Sequence, residues 1–488
     1  CGIRPLPPMI RPNDHGTVIA RSDRTEAMTA AHPLPQPPEM HRRILAIALP
    51  AICANLTAVL PGLVDTAFIG HTADAGSLGG VAIGANLCGF VLWAFSFLRM
   101  GTAGFTAQAF GAGDESELQA VFRRSLVLAA FFGIVLWMLM VPVNHLGVMF
   151  YGPSPLVGDY AGRYVTFRLF SAPFDLLLYV VLGWLLGTQR TVIAMALQIW
   201  LNLLNVLLCM LFVLHLRMGV DGAATATAIA QTVTALLGLG VVIRLQAQLP
   251  ARRPSWTLVL EPRRLVEMMA VNRDIFIRTF ALMFVFICFV RLGAHFGDVT
   301  LAANHILFGL VAMIAQGLDG FAQAAETLTG QAIGARDAAG LRRATRLSAY
   351  WAVGLAVVMS LVLIPLGPHL LGLFTATPDV LALAQRFFPW VAATPVIAVA
   401  CYQLDGIYIG ATRGRDMRNG MLIATLMATM IELIAAPLFG NGGLWFALLS
   451  FFVLRAVPLA LWYHRIPRLI ALPPQPAPAA VPEQSRAA

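Results

Sequence analysis

Lysine is absent from the chain, so each of its 33 fixed cations is an arginine, and Schiff-base lysine chemistry is excluded. Charge of either sign is scarce: 12% of the 488 residues are charged against 58% hydrophobic, with a mean hydropathy of +0.76. That balance lies far outside soluble domains and defines a polytopic membrane protein. Cysteine is sparse too. Five of the six, Cys53, Cys88, Cys209, Cys288 and Cys401, fall inside apolar stretches with no CxxC spacing, which indicates neither disulfides nor a zinc site; Cys1 stands in a polar leader. No DxxxD, HExxH or GxSxG motif lies within or beside an apolar stretch, so an intramembrane enzyme would lack its chemistry. The net charge of +9 comes from arginines in short loops, not from one face or tail, and marks topology rather than a nucleic-acid surface.

What is present is apolar sequence in membrane-length runs. About 20 apolar residues are needed per span, and twelve are predicted, at 44–69, 81–107, 125–149, 164–187, 191–214, 219–243, 274–296, 299–322, 347–367, 384–410, 417–439 and 442–463. The even-numbered connections hold the arginines: Arg123 and Arg124, Arg190, six from Arg244 to Arg273, four from Arg336 to Arg346, and Arg413, Arg415 and Arg418. By the positive-inside rule both termini are expected in the cytoplasm, and with a bacterial chain the membrane is the inner one. Residues 1–40 read as a disordered leader, with Met40 a natural start, and 467–488, rich in Pro and Ala, as a disordered tail.

The chain repeats itself. Gln108-Ala109-Phe110-Gly111-Ala112-Gly113-Asp114 after the second span returns as Gln331-Ala332-Ile333-Gly334-Ala335-Arg336-Asp337 after the eighth, a spacing of 223 residues that also matches Gly70 with Gly293, Arg123 with Arg346, Ser125 with Ser348 and Arg190 with Arg413. Six spans per copy is an even number, so the copies share one orientation. The expected architecture is all-α, two parallel six-helix bundles related by an axis along the membrane normal. Residues 41–243 form the first lobe, 244–273 the linker and 274–466 the second lobe, with a substrate cavity between them. The repeated motifs read as turns that end the second and eighth spans.

One carboxylate stands out. Ile44 to Ile69 carries Asp65 as its only charge, on the side of the helix that also presents Ala51, Ala54, Ala58, Pro61 and Gly62, opposite a leucine face suited to lipid. A charge at mid-membrane costs about 2.5–3.5 kcal/mol on insertion scales and usually faces a bundle interior or a watery cavity. Asp65 is therefore the candidate coupling site, and Pro50 or Pro61, where a backbone hydrogen bond is missing, are the points about which the helix would bend. At a similar depth, Asn202, Asn205 and Cys209 share a face of the fifth span at i, i+3 and i+7, and with Thr227 of the sixth could line one pocket.

The stretches Leu63-Val64-Asp65-Thr66-Ala67-Phe68-Ile69-Gly70-His71, Leu98-Arg99-Met100, Thr106-Ala107-Gln108-Ala109-Phe110-Gly111-Ala112, Leu182-Gly183-Trp184-Leu185-Leu186-Gly187, Leu318-Asp319-Gly320-Phe321 and Leu404-Asp405-Gly406 resemble the multidrug and toxic compound extrusion (MATE) family, in its DinF-like (DNA-damage-inducible F) branch, over about residues 44–465. The resemblance implies a V-shaped fold and the export of organic, often cationic, compounds in exchange for protons or sodium ions. It implies Asp65 as the residue on which coupling depends, Pro50 as the bending proline, and Asn205 and Thr227 as polar partners. This chain departs from many relatives in carrying Cys209 where they have Asp; a thiol is a poorer sodium ligand than a carboxylate, so protons are the expected coupling ion, and no other cofactor or metal is implied.

Further acidic residues are candidates in the second lobe. Asp405 resembles a carboxylate that other branches of the family use. Glu432 stands at the repeat position of Cys209 and is read either as a relocated acidic function or as a partner of Arg455. Asp319 and Glu326, seven apart on the eighth span, and Arg99 on the second, read as members of inter-helix ion pairs, and Asp175 and Arg291 as interfacial. The expected partners are small organic substrates and the lipid bilayer, with no nucleic acid, and the chain is expected to work as a monomer. The nearest rival is a flippase for lipid or lipid-linked saccharide. That reading calls for an arginine-lined cavity, which the few arginines inside spans do not clearly supply.

Overall fold

A computed structural model describes residues 34–57, 75–250, 254–375 and 377–471. In chain order these form α1 (Pro37–Thr57), α2 (Ala75–Ala94), α3 (Phe97–Gly111), α4 (Glu115–Met138), α5 (Met140–Tyr151), α6 (Pro155–Phe170), α7 (Ala172–Gly187), α8 (Thr191–Cys209) and α9 (Gly219–Gln246). After the short α10 (Trp256–Val259) come α11 (Pro262–Ala294), α12 (Asp298–Gly334), α13 (Ala338–Phe374), α14 (Pro378–Gly410), α15 (Gly414–Phe439), α16 (Asn441–Trp462) and the short α17 (Arg468–Ala471). Among the described residues ten helices are long and apolar enough to cross a membrane, eleven if α6 and α7 count as one bent span. With α1, the described part of the first expected span, these account for the twelve. Asp65 and Pro61 lie outside the described residues; Pro50 sits inside α1, which is continuous around it.

The repeat is visible in local geometry. Asp114 caps α4 by accepting from the Glu117 backbone N–H at 2.8 Å, and Asp337 caps α13 by accepting from that of Gly340 at 2.6 Å. Each such cap is worth about 1 kcal/mol. The residue before each aspartate, Gly113 and Arg336, takes a left-handed φ of 69° and 56°, as do Gln189 and Thr412, another pair at the repeat spacing. Within each lobe the same glycines allow helices to touch. A methyl on Gly183 of α7 would lie 2.5 Å from the Arg99 carbonyl oxygen, and one on Gly406 of α14 would lie 2.1 Å from that of Ala322.

Three features differ from the expectation. The fourth span begins at Pro155 and bends by 50° between α6 and α7. At the bend Arg168 and Asp175 form a two-pronged ion pair, 2.7 and 2.9 Å, with Ser171 accepting from Arg168 at 2.8 Å. Asp175 is thus a buried bracing residue, 5% exposed, and not an interfacial one. The stretch expected as a linker is partly helical, because α9 runs to Gln246 and α11 starts at Pro262. Finally, the first half of α1 joins the second lobe: Met40, Ile44, Ile47 and Ala48 are packed in one apolar core with residues of α12 to α16. The two helices approach closely at Gly320 of α12, where a Cβ would fall 2.3 Å from the Ile52 side chain.

Removing one partner of a buried ion pair strands the other charge, at about 3–5 kcal/mol. Asp175→Asn is therefore expected to lower the apparent thermal unfolding midpoint in detergent markedly. Asp175→Leu combined with Arg168→Met should recover most of the loss; a double variant as unstable as the single one would contradict this account.

Candidate functional site

One cavity of about 530 Å³ opens between the lobes, lined by α1, α2, α3, α7 and α8 on one side and α11, α12, α14 and α16 on the other. Its lining follows the repeat. Tyr179 and Tyr402, Leu186 and Ile409, Trp93 and Gln316, Ser96 and Asp319, and Asn55 and Arg278 are all lining pairs at the 223-residue spacing. Equivalent positions face the cavity because equivalent helices surround it. The chemistry is unequal: of six ionisable side chains in the wall other than the tyrosines, only Arg99 comes from the first lobe, while Arg278, Asp319, Glu326, Asp405 and Arg455 come from the second.

Asp405 sits at the centre of that group, its Oδ2 accepting from both Arg278 and Arg455. All three side chains are at most 7% exposed. A buried Arg–Asp–Arg cluster carries one net positive charge, and the Nε donors of both arginines are buried without a hydrogen-bond partner. Arg455 also lies over the Tyr402 ring at 5.2 Å. Its acidic partner is thus Asp405, and the expected pairing of Arg455 with Glu432 does not form. Glu432 is buried on α15, outside the cavity lining.

Asp319, Glu326 and Arg99 were expected in inter-helix ion pairs, and among the described residues none of them forms one. Asp319 accepts from Gln323 Nε2 at 2.9 Å, and Gln323 also reaches Asn55 Oδ1 of α1 at 3.4 Å. Glu326 is 1% exposed with its Oε1 unpartnered; Arg99 and Asp319 are the charged groups whose fields reach it. The Nη1 of Arg99 is buried without a partner as well. Sequence reasoning passed over Arg278 as a cavity residue. The repeat held the signal, since its equivalent Asn55 lies on the small-residue side of α1 that was expected to face inward.

Of the first-lobe polar candidates, Asp65 lies outside the described residues. Asn205 Nδ2 donates to Thr227 Oγ1 at 2.9 Å, Asn202 Nδ2 donates to the Thr57 carbonyl at 2.7 Å, and Cys209 is fully buried below a π-helical turn at Met210–His215. Among the described residues the carbonyl oxygens of Asn202 and Asn205 accept no hydrogen bond. None of Asn202, Asn205, Thr227 and Cys209 lines the central cavity.

The glutamine motifs do more than end two helices. At the arginine-rich end of the bundles they face each other across the lobe boundary. A methyl on Gly111 would lie 2.1 Å from the Gln331 carbonyl oxygen and one on Gly334 would lie 1.9 Å from that of Gln108. Gln108 Nε2 donates to the Gly410 carbonyl at 2.9 Å and to Thr412 at 3.2 Å, while Gln189 donates to Gln331 at 2.6 Å. Backbone touches backbone there, and the cavity is closed at that end.

A fold of two repeated helix bundles around a cavity that both repeats line is that of a polytopic membrane transporter. The family model MatE matches residues 50–211 and again 275–438, one match per repeat. DNA damage-inducible protein F of Escherichia coli (strain K12) is 39% identical over 421 residues, covering 86% of this chain and 91% of that protein. A probable multidrug resistance protein NorM of Caulobacter vibrioides is 28% identical over 428 residues, 84% of this chain and 87% of that protein. Among solved structures, a MOP superfamily transporter from Pyrococcus furiosus superposes with a TM-score of 0.79 at 19% identity, covering 88% of this chain and 96% of that one. At that identity the likeness shows the fold. The chain belongs to the MatE family of multidrug and toxin extrusion transporters, and E. coli DinF is among its relatives.

Because Gly334 meets carbonyl oxygen directly, Gly334→Leu should force the lobes apart at the arginine-rich end. In a cysteine-free background carrying Ala315→Cys in the cavity wall, labelling by an impermeant maleimide from that end should rise several-fold. Unchanged labelling would show that the seal lies elsewhere.

Proposed function

We propose that this chain is a secondary active antiporter of the bacterial inner membrane that exports organic compounds by alternating access, driven by inward proton movement. The single observation that carries the reading is the central cavity, bounded by both repeats and sealed at one end by the interlocked glutamine motifs. With the arginine-rich end in the cytoplasm, as the positive-inside rule requires, a seal there leaves the cavity facing outward. Separation of Gly111 from Gln331 and of Gly334 from Gln108 would then give the inward-facing state. Among the described residues the hydrogen bonds between the lobes include those of Asn55 with Gln316, Gln108 with Gly410, Gln189 with Gln331 and Thr327 with Leu186, which a hinge that parts the sealed end would break.

Coupling needs a carboxylate that takes and releases a proton as the lobes move. Asp65 is that residue in our reading, with Asn202, Asn205, Thr227 and Cys209 as its surroundings. Its neutralisation from outside would remove the cost of burying charge and let the first helix repack, with Pro50 or Pro61 as the bend. Among the described residues Glu326 has the corresponding property in the second lobe: it is buried, unpaired and in the cavity wall, within reach of the Arg99 field. Its backbone is also part of the packing near the seal, since a methyl on Gly410 would lie 2.1 Å from its carbonyl oxygen. A proton entering the cell gains about 2.3 kcal/mol per 100 mV, which favours export. Sodium coupling is the lesser alternative because Cys209 replaces a better ligand. The presence of three cavity arginines favours, as a second reading, cargo with an anionic group, including lipid.

In everted vesicles under an imposed proton gradient, export of ethidium should be lost in Asp65→Asn, and should persist when sodium is absent. Glu326→Gln should change its pH dependence while Glu432→Gln, remote from the cavity, should not. Export that follows a sodium gradient alone, or a Glu432→Gln effect larger than that of Glu326→Gln, would overturn this assignment.

A further inference from the structure

The cavity wall holds more cationic donors than its carboxylates use. Arg278 and Arg455 share one aspartate and retain unpartnered Nε donors; Arg99, on the facing lobe, has no ion pair among the described residues and an unpartnered Nη1. Buried guanidinium donors without acceptors are costly, and a ligand oxygen is the natural way to satisfy them. Arginine's planar fork suits carboxylate, sulfonate and phosphate groups. Asp319, Glu326 and Asp405 balance the three arginines in formal charge, but among the described residues neither Asp319 nor Glu326 forms an ion pair with one of them. Asp319 is turned to Gln323, and Glu326 Oε1 receives no donor at all.

Much of the rest of the wall is apolar, with neutral polar groups such as Asn55, Gln198 and Gln316 between. Trp93, Phe286, Phe308 and Phe452 provide aromatic faces, and Met100 and Met195 adaptable thioethers. A volume of about 530 Å³ matches pockets for drug-sized molecules, and is small for a whole two-chain lipid. We propose that the cavity contains an anion subsite, formed by Arg99 with the Arg278–Asp405–Arg455 cluster, and that this transporter accepts organic anions or zwitterions with an apolar aromatic or alicyclic body. The inference rests on the transporter reading of the same cavity and specifies its cargo. The shared recognition chemistry is one anionic oxygen group; its source is a soluble organic acid or the head of a membrane lipid.

The test uses a matched pair of fluorescent probes, 9-anthracenecarboxylate and 9-(aminomethyl)anthracene, which differ in the sign of one charge. Binding to the full chain in a non-ionic detergent is read by energy transfer from tryptophan, Trp93 being in the wall. The native protein should bind the carboxylate saturably and at least tenfold more tightly than the ammonium. Arg99→Gln should reduce that preference by tenfold or more, and Arg99→Lys should keep most of it. An ammonium preference in the native protein, or a carboxylate preference untouched by Arg99→Gln in a monodisperse sample, would overturn the proposal. The native measurement decides even if the variant does not fold. Vesicles containing fluorescent phosphatidic acid form the second arm: carboxylate transport without lipid movement assigns the subsite to soluble anions, and lipid movement blocked by the carboxylate assigns it to lipid heads. Export of the ammonium probe without any carboxylate binding would leave the transporter and remove the subsite. Carboxylate binding without gradient-driven movement of either probe would do the reverse.

Discussion

The contact on which the architecture depends is that of two backbones with no side chain between them. Gly111 and Gly334 face Gln331 and Gln108 across the lobe boundary, each copy of the motif supplying a glycine to one contact and a carbonyl to the other. In an apolar medium, helix association lacks a hydrophobic drive and relies on close packing and hydrogen bonds. Here both come from one seven-residue motif used twice. The glutamine amides Gln108 and Gln189 add directional bonds to an interface that would otherwise be van der Waals contact alone.

That seal makes the cavity a one-ended compartment, and gives its charges their significance. The Arg278–Asp405–Arg455 cluster is concealed from both lipid and bulk water, which makes breaking it costly and keeping it only mildly favourable. The cluster acts as a fixed positive field rather than as a stabilising device. Arg99 stands on the facing lobe and Glu326 on the same lobe as the cluster, neither of them ion-paired among the described residues. Concentrating ionisable groups on one lobe of a pseudo-symmetric cavity leaves the other lobe's wall largely neutral, with Asn55 where its counterpart has Arg278 and Leu182 where it has Asp405.

The spans, the two lobes and their shared orientation were legible because apolar run length and a constant repeat spacing are one-dimensional properties of the chain. The first-lobe pocket was partly legible for a similar reason: Asn202 and Asn205 fall on one helical face, and the structure joins them to Thr57 and Thr227. Partnership between spans was less legible. Arg455 stood in one of two readings as the partner of Glu432 and pairs instead with Asp405, and among the described residues Arg99 and Glu326 form none of the ion pairs expected of them. Within a helix, spacing says which residues share a face, but not which face of another helix it meets.

By itself the sequence determined a membrane protein of two repeated six-span bundles, the ends that carry the arginines, and a lone acidic residue in the first span. These follow from hydropathy and from periodicity, which every stretch of chain expresses locally. Tertiary structure alone decided that the first half of α1 is packed into the second lobe, that the repeated turns form a seal, and that three arginines from three different helices meet in one cavity. Each of those outcomes depends on crossing angles and close approaches between segments hundreds of residues apart, set by where a glycine lets one backbone touch another.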